Sequence, residues 1–500
     1  MASDRSYRRI VETSTIIAGA SIINIMGGLL RMKLAAVVLG PAGIGLVGLY
    51  QNFVSTAASV SSLGISTVGT RKIAEALSKP DSHEMAIARR ALMVGAIFLS
   101  VIGMVVVWLF RSVIAKYLLG DSDKGEIIGW LSIGVALTTY SGAQSAYLNG
   151  LQRIGDLARL SIISGVAATI IGVAVLLGFG AQGILLFVLV IPAMTCIVGK
   201  WLTHRLRNGR LKKVSMHDLR GEWGGMLKLG VAVVFASAMF GLAQLALRSM
   251  VVKQLGPDSL GHFQAAWAIS VVYAGIVFQA MGVDYFPRLA QSNGDATRQN
   301  ILVNEQGEVI LLLAAPFFIL VLSLAPWVIR IAYSSDFSES VGLLRCQVVG
   351  DILKIAGWPI GFISLARGDS RSYLIVEMVS SFVLVVVSWL LLRYVGLLAT
   401  GIGFVAMNFT YLVAVLIMAF RRTGYIWQLR VRNRFLLVLG VACAVFVGSL
   451  TYPSLSAAVG VCLALLLGAD SLRTLSSMSR IDGSLGKVLT ILRRWLGGRS

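Results

Sequence analysis

Charge is scarce in this sequence. Only 13% of its 500 residues are charged and 57% are hydrophobic, against about 25% charged in a soluble domain. With a mean hydropathy of +0.82, a water-soluble globular fold is excluded. Cysteine is far scarcer: Cys196, Cys346, Cys443 and Cys462 stand singly in apolar stretches without a CxxC, so neither a disulfide framework nor a zinc site is indicated. The four histidines, His83, His204, His217 and His262, share no metal-ligand spacing. A GxxxxGK[ST] loop is missing, which removes ATP hydrolysis by this chain. Ser/His/Asp and HExxH arrangements are missing too, and the segments between apolar runs are too short for an extramembrane catalytic domain. No metal or cofactor is expected, and the chain is read as a transporter, not an enzyme.

What is present is apolar sequence in spanning lengths. A membrane helix needs about 20 such residues. Runs bounded by Gly, Pro or charge predict fourteen spans, at 12–38, 44–68, 86–110, 126–150, 157–178, 181–202, 226–250, 259–283, 301–330, 341–366, 373–393, 398–420, 434–451 and 453–470. The first follows Arg5, Arg8 and Arg9 and outlasts a signal peptide, so it reads as an uncleaved helix. The 53 glycines suit close helix packing in lipid.

The formal net charge of +21 would suggest nucleic-acid binding in a soluble protein. Here the cations alternate between loops, so a membrane reading wins and no nucleic-acid partner is expected. One side collects Arg71, Lys72, Arg89, Arg90, the run from Lys200 to Lys228, and Arg421 to Arg434. The other holds Arg111, Lys116, Lys124, Lys253, Arg330 and Arg393, diluted by Asp121, Asp123, Asp336 and Glu339. By the positive-inside rule both termini are cytoplasmic.

An internal repeat organises the spans. Leu39-Gly40-Pro41-Ala42-Gly43-Ile44-Gly45 recurs as Leu255-Gly256-Pro257-Asp258-Ser259-Leu260-Gly261. Leu63-Gly64-Ile65 is echoed by Met281-Gly282-Val283, and Gly155-Asp156 by Gly368-Asp369. The copies start six spans apart, hence in the same orientation. The expected architecture is an all-α polytopic membrane protein: two parallel-repeat six-helix lobes around a central cavity, plus two extra C-terminal helices. The boundaries are 1–205 for the N-terminal lobe, 206–225 for a basic linker, 226–422 for the C-terminal lobe, and 423–500 for two more spans and a basic tail. In that tail Leu485, Val488, Leu489, Leu492, Trp495 and Leu496 recur at helical spacing, as in an amphipathic helix lying on an anionic leaflet. A plain basic tail fits the same residues.

Ionisable groups within spans are functional candidates by default. Asn24 and Arg31 fall on nearly one face of the first span, with Lys33 following; Gln244 and Arg248 share a face of the seventh. Arg31 and Arg248 precede the two LGP turns by similar distances. With Gln51 on the second span and Gln264 on the eighth, they would line a polar, positively charged cleft. The competing reading is that Arg31, Lys33 and Arg248 snorkel to headgroups. Asp351 and Lys354, three apart on span ten, pair structurally in the favoured reading, and with Glu377 on span eleven are structural or coupling candidates.

The LGPAGIG turn, and more specifically Gln347-Val-Val-Gly350-Asp351-Ile-Leu-Lys354 followed by Trp358, Gly361, Ala366, Tyr373 and Glu377, resemble Wzx-type flippases of O-antigen or lipid III (enterobacterial common antigen). These form the polysaccharide transporter family of the multidrug/oligosaccharidyl-lipid/polysaccharide (MOP) exporter superfamily. The resemblance covers about residues 10–422. It implies a MATE-like fold and alternating access in the bacterial inner membrane. Undecaprenyl-diphosphate-linked oligosaccharide would be the substrate, gripped by Arg31 and Arg248. Membrane lipids and downstream polysaccharide polymerase and chain-length proteins would be the partners. Spans thirteen and fourteen depart from the usual twelve and are closer to lipid II flippases of the same superfamily. The alternatives are a cation-coupled drug or metabolite antiporter of that superfamily, which would favour acidic cavity residues, and a membrane-embedded polymerase or glycosyltransferase, which would need a larger non-cytoplasmic loop.

Overall fold

A computed structural model describes residues 2–78, 82–206 and 216–477. Residues 207–215 of the predicted linker and the whole amphipathic tail lie outside the described residues, and the remainder of the linker, from Met216, already belongs to a helix. In chain order the helices are α1 (Ala2–Ser61), α2 (Ile65–Leu77), α3 (Ser82–Leu109), α4 (Arg111–Leu119), α5 (Gly125–Gly150), α6 (Ile154–Phe179), α7 (Ile184–Arg205) and α8 (Met216–Gln291). They continue as α9 (Ala296–Ser323), α10 (Ala325–Ala332), α11 (Ser340–Ala366), α12 (Ser370–Val395), α13 (Leu398–Thr423), α14 (Leu429–Thr451) and α15 (Pro453–Ser477). Twelve of the fourteen predicted spans each fall on a single one of these helices and the other two each cover parts of two, so the all-α polytopic expectation holds.

Nine stretches among the described residues are long and apolar enough to cross a membrane. Two of them, 19–61 and 154–205, contain 43 and 52 residues. At 1.5 Å per residue each is about twice or more the ~30 Å hydrocarbon thickness, enough for two crossings. The first is divided at Gly40 (φ 63°, ψ −171°), the second at a short turn over Gly180–Gly183. In α8 the same division falls at Gly256 (φ 89°, ψ 174°). These two glycines occupy a backbone region that a side chain essentially forbids. Each is followed by a proline, whose fixed φ and missing N–H suit the first position of the next helix. The LGP turns are therefore helix breaks written in the sequence.

Two boundaries differ from expectation. The span expected over 44–68 ends at Ser61, because Leu63 (φ 45°) and Gly64 (φ 72°) turn the chain before α2 begins. In the second copy α8 runs straight through Gly282 to Gln291, so the repeated landmark is shared in sequence and not in backbone. The span expected over 301–330 breaks at Leu324, beyond which α10 forms a separate short helix.

The chain divides into two compact units, residues 1–264 with 332–337, and residues 265–331 with 338–500. In the first, α5 packs on α3 and α7, and α6 on α1 and α7; Ile73, Leu92, Ala143 and Tyr147 centre one of its buried clusters. In the second, α11, α12 and α13 pack together, and α14 and α15 dock on α9. Large apolar side chains such as Phe98, Ile170, Phe382 and Leu465 remain more than 60% exposed. That is unfavourable in water and natural against hydrocarbon.

Candidate functional site

Arg31 lies on α1 nine residues before the Gly40 break, only 8% exposed. It lines a cavity of about 540 Å³ enclosed by α1, α5, α6 and α7. Gly27 and Gly28, one turn before Arg31, contribute no side chain and leave the space open. Across from it, among the apolar Leu157, Leu160, Val166 and Ile191, stand five hydroxyls: Ser161, Ser164 and Thr169 from α6, Ser145 from α5 and Thr195 from α7. Asn24 Nδ2 donates to Ser161 Oγ at 2.7 Å, and Gly165 makes room for this amide, since a Cβ there would fall 2.5 Å from Asn24 Oδ1. The Arg31 guanidinium sits 5.1 Å from the Phe187 ring centroid. Its Nε is buried and meets no hydrogen-bond partner among the described residues. A buried donor left in this condition costs about 1–3 kcal/mol, so the cavity presents an unsatisfied cation beside hydroxyls and an amide.

Arg248 on α8 has a different setting. It is 2% exposed. Its Nη1 donates to Gln244 Oε1 at 2.6 Å and its Nη2 to Gln264 Oε1 at 3.1 Å. The guanidinium lies 5.2 Å from the Phe263 ring centroid. The structure thus joins three sequence candidates, Arg248, Gln244 and Gln264, in one buried cluster. Gln264 in turn fills the space left at Gly48, where a Cβ would fall 2.2 Å from its amide carbon. Gln51 is half-buried one turn beyond Gly48, and Lys33 is exposed, away from the buried side of α1 that carries Arg31.

The two LGP turns also meet. A Cβ on Gly261 would fall 1.9 Å from the Pro41 carbonyl oxygen, and one on Gly45 would fall 2.6 Å from Gly261 N and 2.7 Å from Pro257 O. The last glycine of each LGPxxxG motif therefore permits backbone-to-backbone contact with the other copy. Sequence reading used only the Gly-Pro break and missed this glycine. It also missed the polar stripe at 161, 164/165 and 169, although its helical period was there to read.

In the second unit, Asp351 on α11 is 2% exposed and accepts hydrogen bonds from Ser270 Oγ and Tyr273 OH of α8, both at 2.7 Å. The expected partner Lys354 instead places its ammonium 5.4 Å from the Phe278 ring centroid. Glu377 on α12 is half-buried. At the start of α12, outside the spans, Asp369 accepts from the Ser372 N–H at 3.2 Å and pairs with Arg422. Its hydrogen bonds to Ser372, with the Arg422 charge, hold its carboxyl below the ordinary aspartate range.

Chemically, the first unit offers a buried guanidinium with an unpaired donor in a cavity that also carries an amide and hydroxyls. Such a group engages phosphate or carboxylate oxygens, while amides and hydroxyls suit sugar hydroxyls. Known proteins agree with the fold. The lipid II flippase MurJ, in an inward closed conformation, superposes with a TM-score of 0.70 at 13% identity, over 93% of this chain and 99% of that one. An inward-facing MATE multidrug resistance transporter of the MOP superfamily gives 0.64 at 17% identity, over 81% and 98%. In sequence, the lipid III flippases of Escherichia coli (strain K12) and Shigella flexneri are each 25% identical over 415 residues, 81% of this chain and 96% of theirs. Residues 34–342, which span both LGPxxxG turns and the Arg248 cluster between glutamines, match the family described as "Polysaccharide biosynthesis protein", and it is to this family that the chain belongs.

Proposed function

We propose that the protein is a flippase, carrying an undecaprenyl-diphosphate-linked oligosaccharide from the cytoplasmic to the periplasmic leaflet of a bacterial inner membrane. The observation that carries the reading is Arg31, buried with no hydrogen-bond partner among the described residues, lining a cavity of about 540 Å³ that also carries Asn24 and five hydroxyls. A diphosphate bearing a sugar head cannot cross hydrocarbon unaided, because desolvating its charge and hydroxyls is too costly. In the cavity Arg31 would replace water around a phosphate, Asn24 and the α6 hydroxyls would meet the sugar, and the polyprenyl tail would stay in lipid. The lipid III flippase relatives support this class of cargo, and an O-antigen repeat unit is the other member of it. The antiporter alternative predicts a carboxylate at the cavity, and its lining contains none among the described residues.

The same proposal places both termini in the cytoplasm and treats 1–205 and 226–422 as lobes that rock in alternating access. It gives Arg248, Gln244, Gln264, Gln51 and Lys33 supporting places along the substrate path, and Asp351, Lys354 and Glu377 a structural or coupling role. Downstream polymerase and chain-length proteins would receive the product.

Deleting the gene tests the reading. Lipid-linked oligosaccharide should accumulate on the cytoplasmic leaflet, and Arg31→Ala should fail to complement although inserted at wild-type level. Intact surface polysaccharide in the deletion strain would refute the function; full complementation by Arg31→Ala would refute the site.

A further inference from the structure

Five arginines crowd the junction of α13 and α14: Arg421, Arg422, Arg430, Arg432 and Arg434, with no acidic residue between Glu377 and Asp470. Two of them are engaged. Arg422 pairs with Asp369, and Arg434 pairs with Asp470 at 3.2 Å. Arg421 and Arg432 are exposed, and neither has a hydrogen-bond or ion-pair partner among the described residues. Both line a shallow groove of about 470 Å³, whose remaining walls include Ile417, Phe420, Ile426 and Trp427.

The groove is built rather than incidental. Gly424, in the left-handed region, ends α13 with its N–H donating to Phe420 O at 2.9 Å. The following segment is pinned to α9 by side-chain amides. Asn300 Nδ2 donates to Thr423 O at 2.9 Å, and Asn304 Nδ2 to Ile426 O at 3.2 Å, while Asn304 Oδ1 accepts from the Gln428 N–H at 2.8 Å. Trp427 then packs on Phe435, ring centroids 5.1 Å apart. Ile417, Phe420 and Ile426 are 49%, 59% and 68% exposed, facing hydrocarbon at the end of a span. Two unpaired cations therefore sit over a fixed apolar trough beside an indole, the residue type that settles at headgroup level.

We infer that this groove is a binding site for an anionic phospholipid of the surrounding leaflet, its phosphate between Arg421 and Arg432 and its acyl chain against Ile417, Phe420 and Ile426. Charge complementarity selects the occupant. The groove lining contains no carboxylate, so a zwitterionic headgroup gains one contact and meets excess positive charge, whereas a net-negative headgroup offsets it. The site is separate from the Arg31 cavity and does not depend on the cargo carried there.

The test uses full-length protein, delipidated in mild detergent and titrated with phosphatidylglycerol or with phosphatidylethanolamine of the same acyl chains. Binding is read by native mass spectrometry and by the thermal unfolding midpoint. Phosphatidylglycerol should bind and raise the midpoint where phosphatidylethanolamine does not. Arg421→Gln/Arg432→Gln should weaken phosphatidylglycerol roughly 30-fold, and Arg421→Lys/Arg432→Lys should retain most of the binding. Equal binding of the two lipids, wild-type affinity in the glutamine variant, or equal protection by inorganic phosphate would each overturn the site. Phosphatidylglycerol is not the proposed cargo, so that failure would leave the flippase reading standing.

Discussion

Arg31 and Arg248 stand eight and seven residues before the two LGP turns, yet the protein uses them differently. Both arginines bury an Nε that makes no hydrogen bond among the described residues, but Arg31 faces an open cavity and its Nη groups make none there either. Arg248 is clamped between two glutamine oxygens. Both guanidinium groups lie over a phenylalanine ring, at 5.1 and 5.2 Å. The shared element of the repeat is thus a buried arginine on an aromatic face; the differing element is whether its charge is already answered. A guanidinium whose Nη groups are bonded within the protein stabilises the fold, and one whose Nη groups are not is available to a ligand.

Replacing each arginine by methionine separates these roles most sharply. Arg31→Met should weaken cargo binding by about 2–5 kcal/mol, the loss typical of removing one partner of a desolvated charge contact, with a melting temperature at or above wild type. Arg248→Met should melt lower, by about 2–4 kcal/mol in stability, because two buried amide oxygens lose their donor. Arg248→Met/Gln244→Leu/Gln264→Leu should regain that stability. Thermal unfolding together with a transport assay reads all three, and identical melting of the two single variants would erase the distinction.

The crossing of the turns gives the next effect. Gly261→Ala places its methyl against the Pro41 carbonyl and Gly45→Ala against Gly261 N, so each should lose about 1–3 kcal/mol, Gly261→Ala more. Gly440→Ala, in helix α14 with open space around it, should be neutral or slightly stabilising. If all three melt alike, the backbone contact does not exist in the membrane.

The smallest effect separates a helix cap from the buried sites. Asp369→Ala should lower the melting temperature slightly near neutral pH. The carboxyl is held below its ordinary value, so its contribution is complete above the unfolded pKa and is lost as pH falls through the folded one. The gap between variant and wild type should therefore close on acidification below about pH 4. A gap that persists there would mean that Asp369 acts through packing.

Most of the helices were legible because a membrane helix announces itself by 20 apolar residues in a row, and the Gly-Pro turns because only glycine tolerates the backbone they require. The break at Leu63–Gly64 was hidden, since its strain is shared with a leucine inside an apolar run and the matching Gly282 does not break. The break before α10 left one trace, Pro326 just inside the new helix. The site was half legible. Span position marked Arg31 and Arg248 as exceptional, but what distinguishes them lies on other helices or beyond the next turn: the α6 hydroxyls for one, Gln264 seated on Gly48 for the other. Spacing on a single helix cannot report such neighbours. For the same reason, a three-residue spacing suggested that Asp351 would pair with Lys354, while its hydrogen bonds come from Ser270 and Tyr273 on another helix.

The contact between Gly45 and Gly261 has a consequence for how such a chain can change over generations. A duplicated segment is ordinarily free to drift in one copy while the other keeps the ancestral form. Here the final glycine of each copy is the floor on which the other rests, so neither can acquire a side chain without displacing its twin. The two motifs constitute one inherited character written at two addresses, and an enlargement at either address would have to be answered by a shift of backbone at the other.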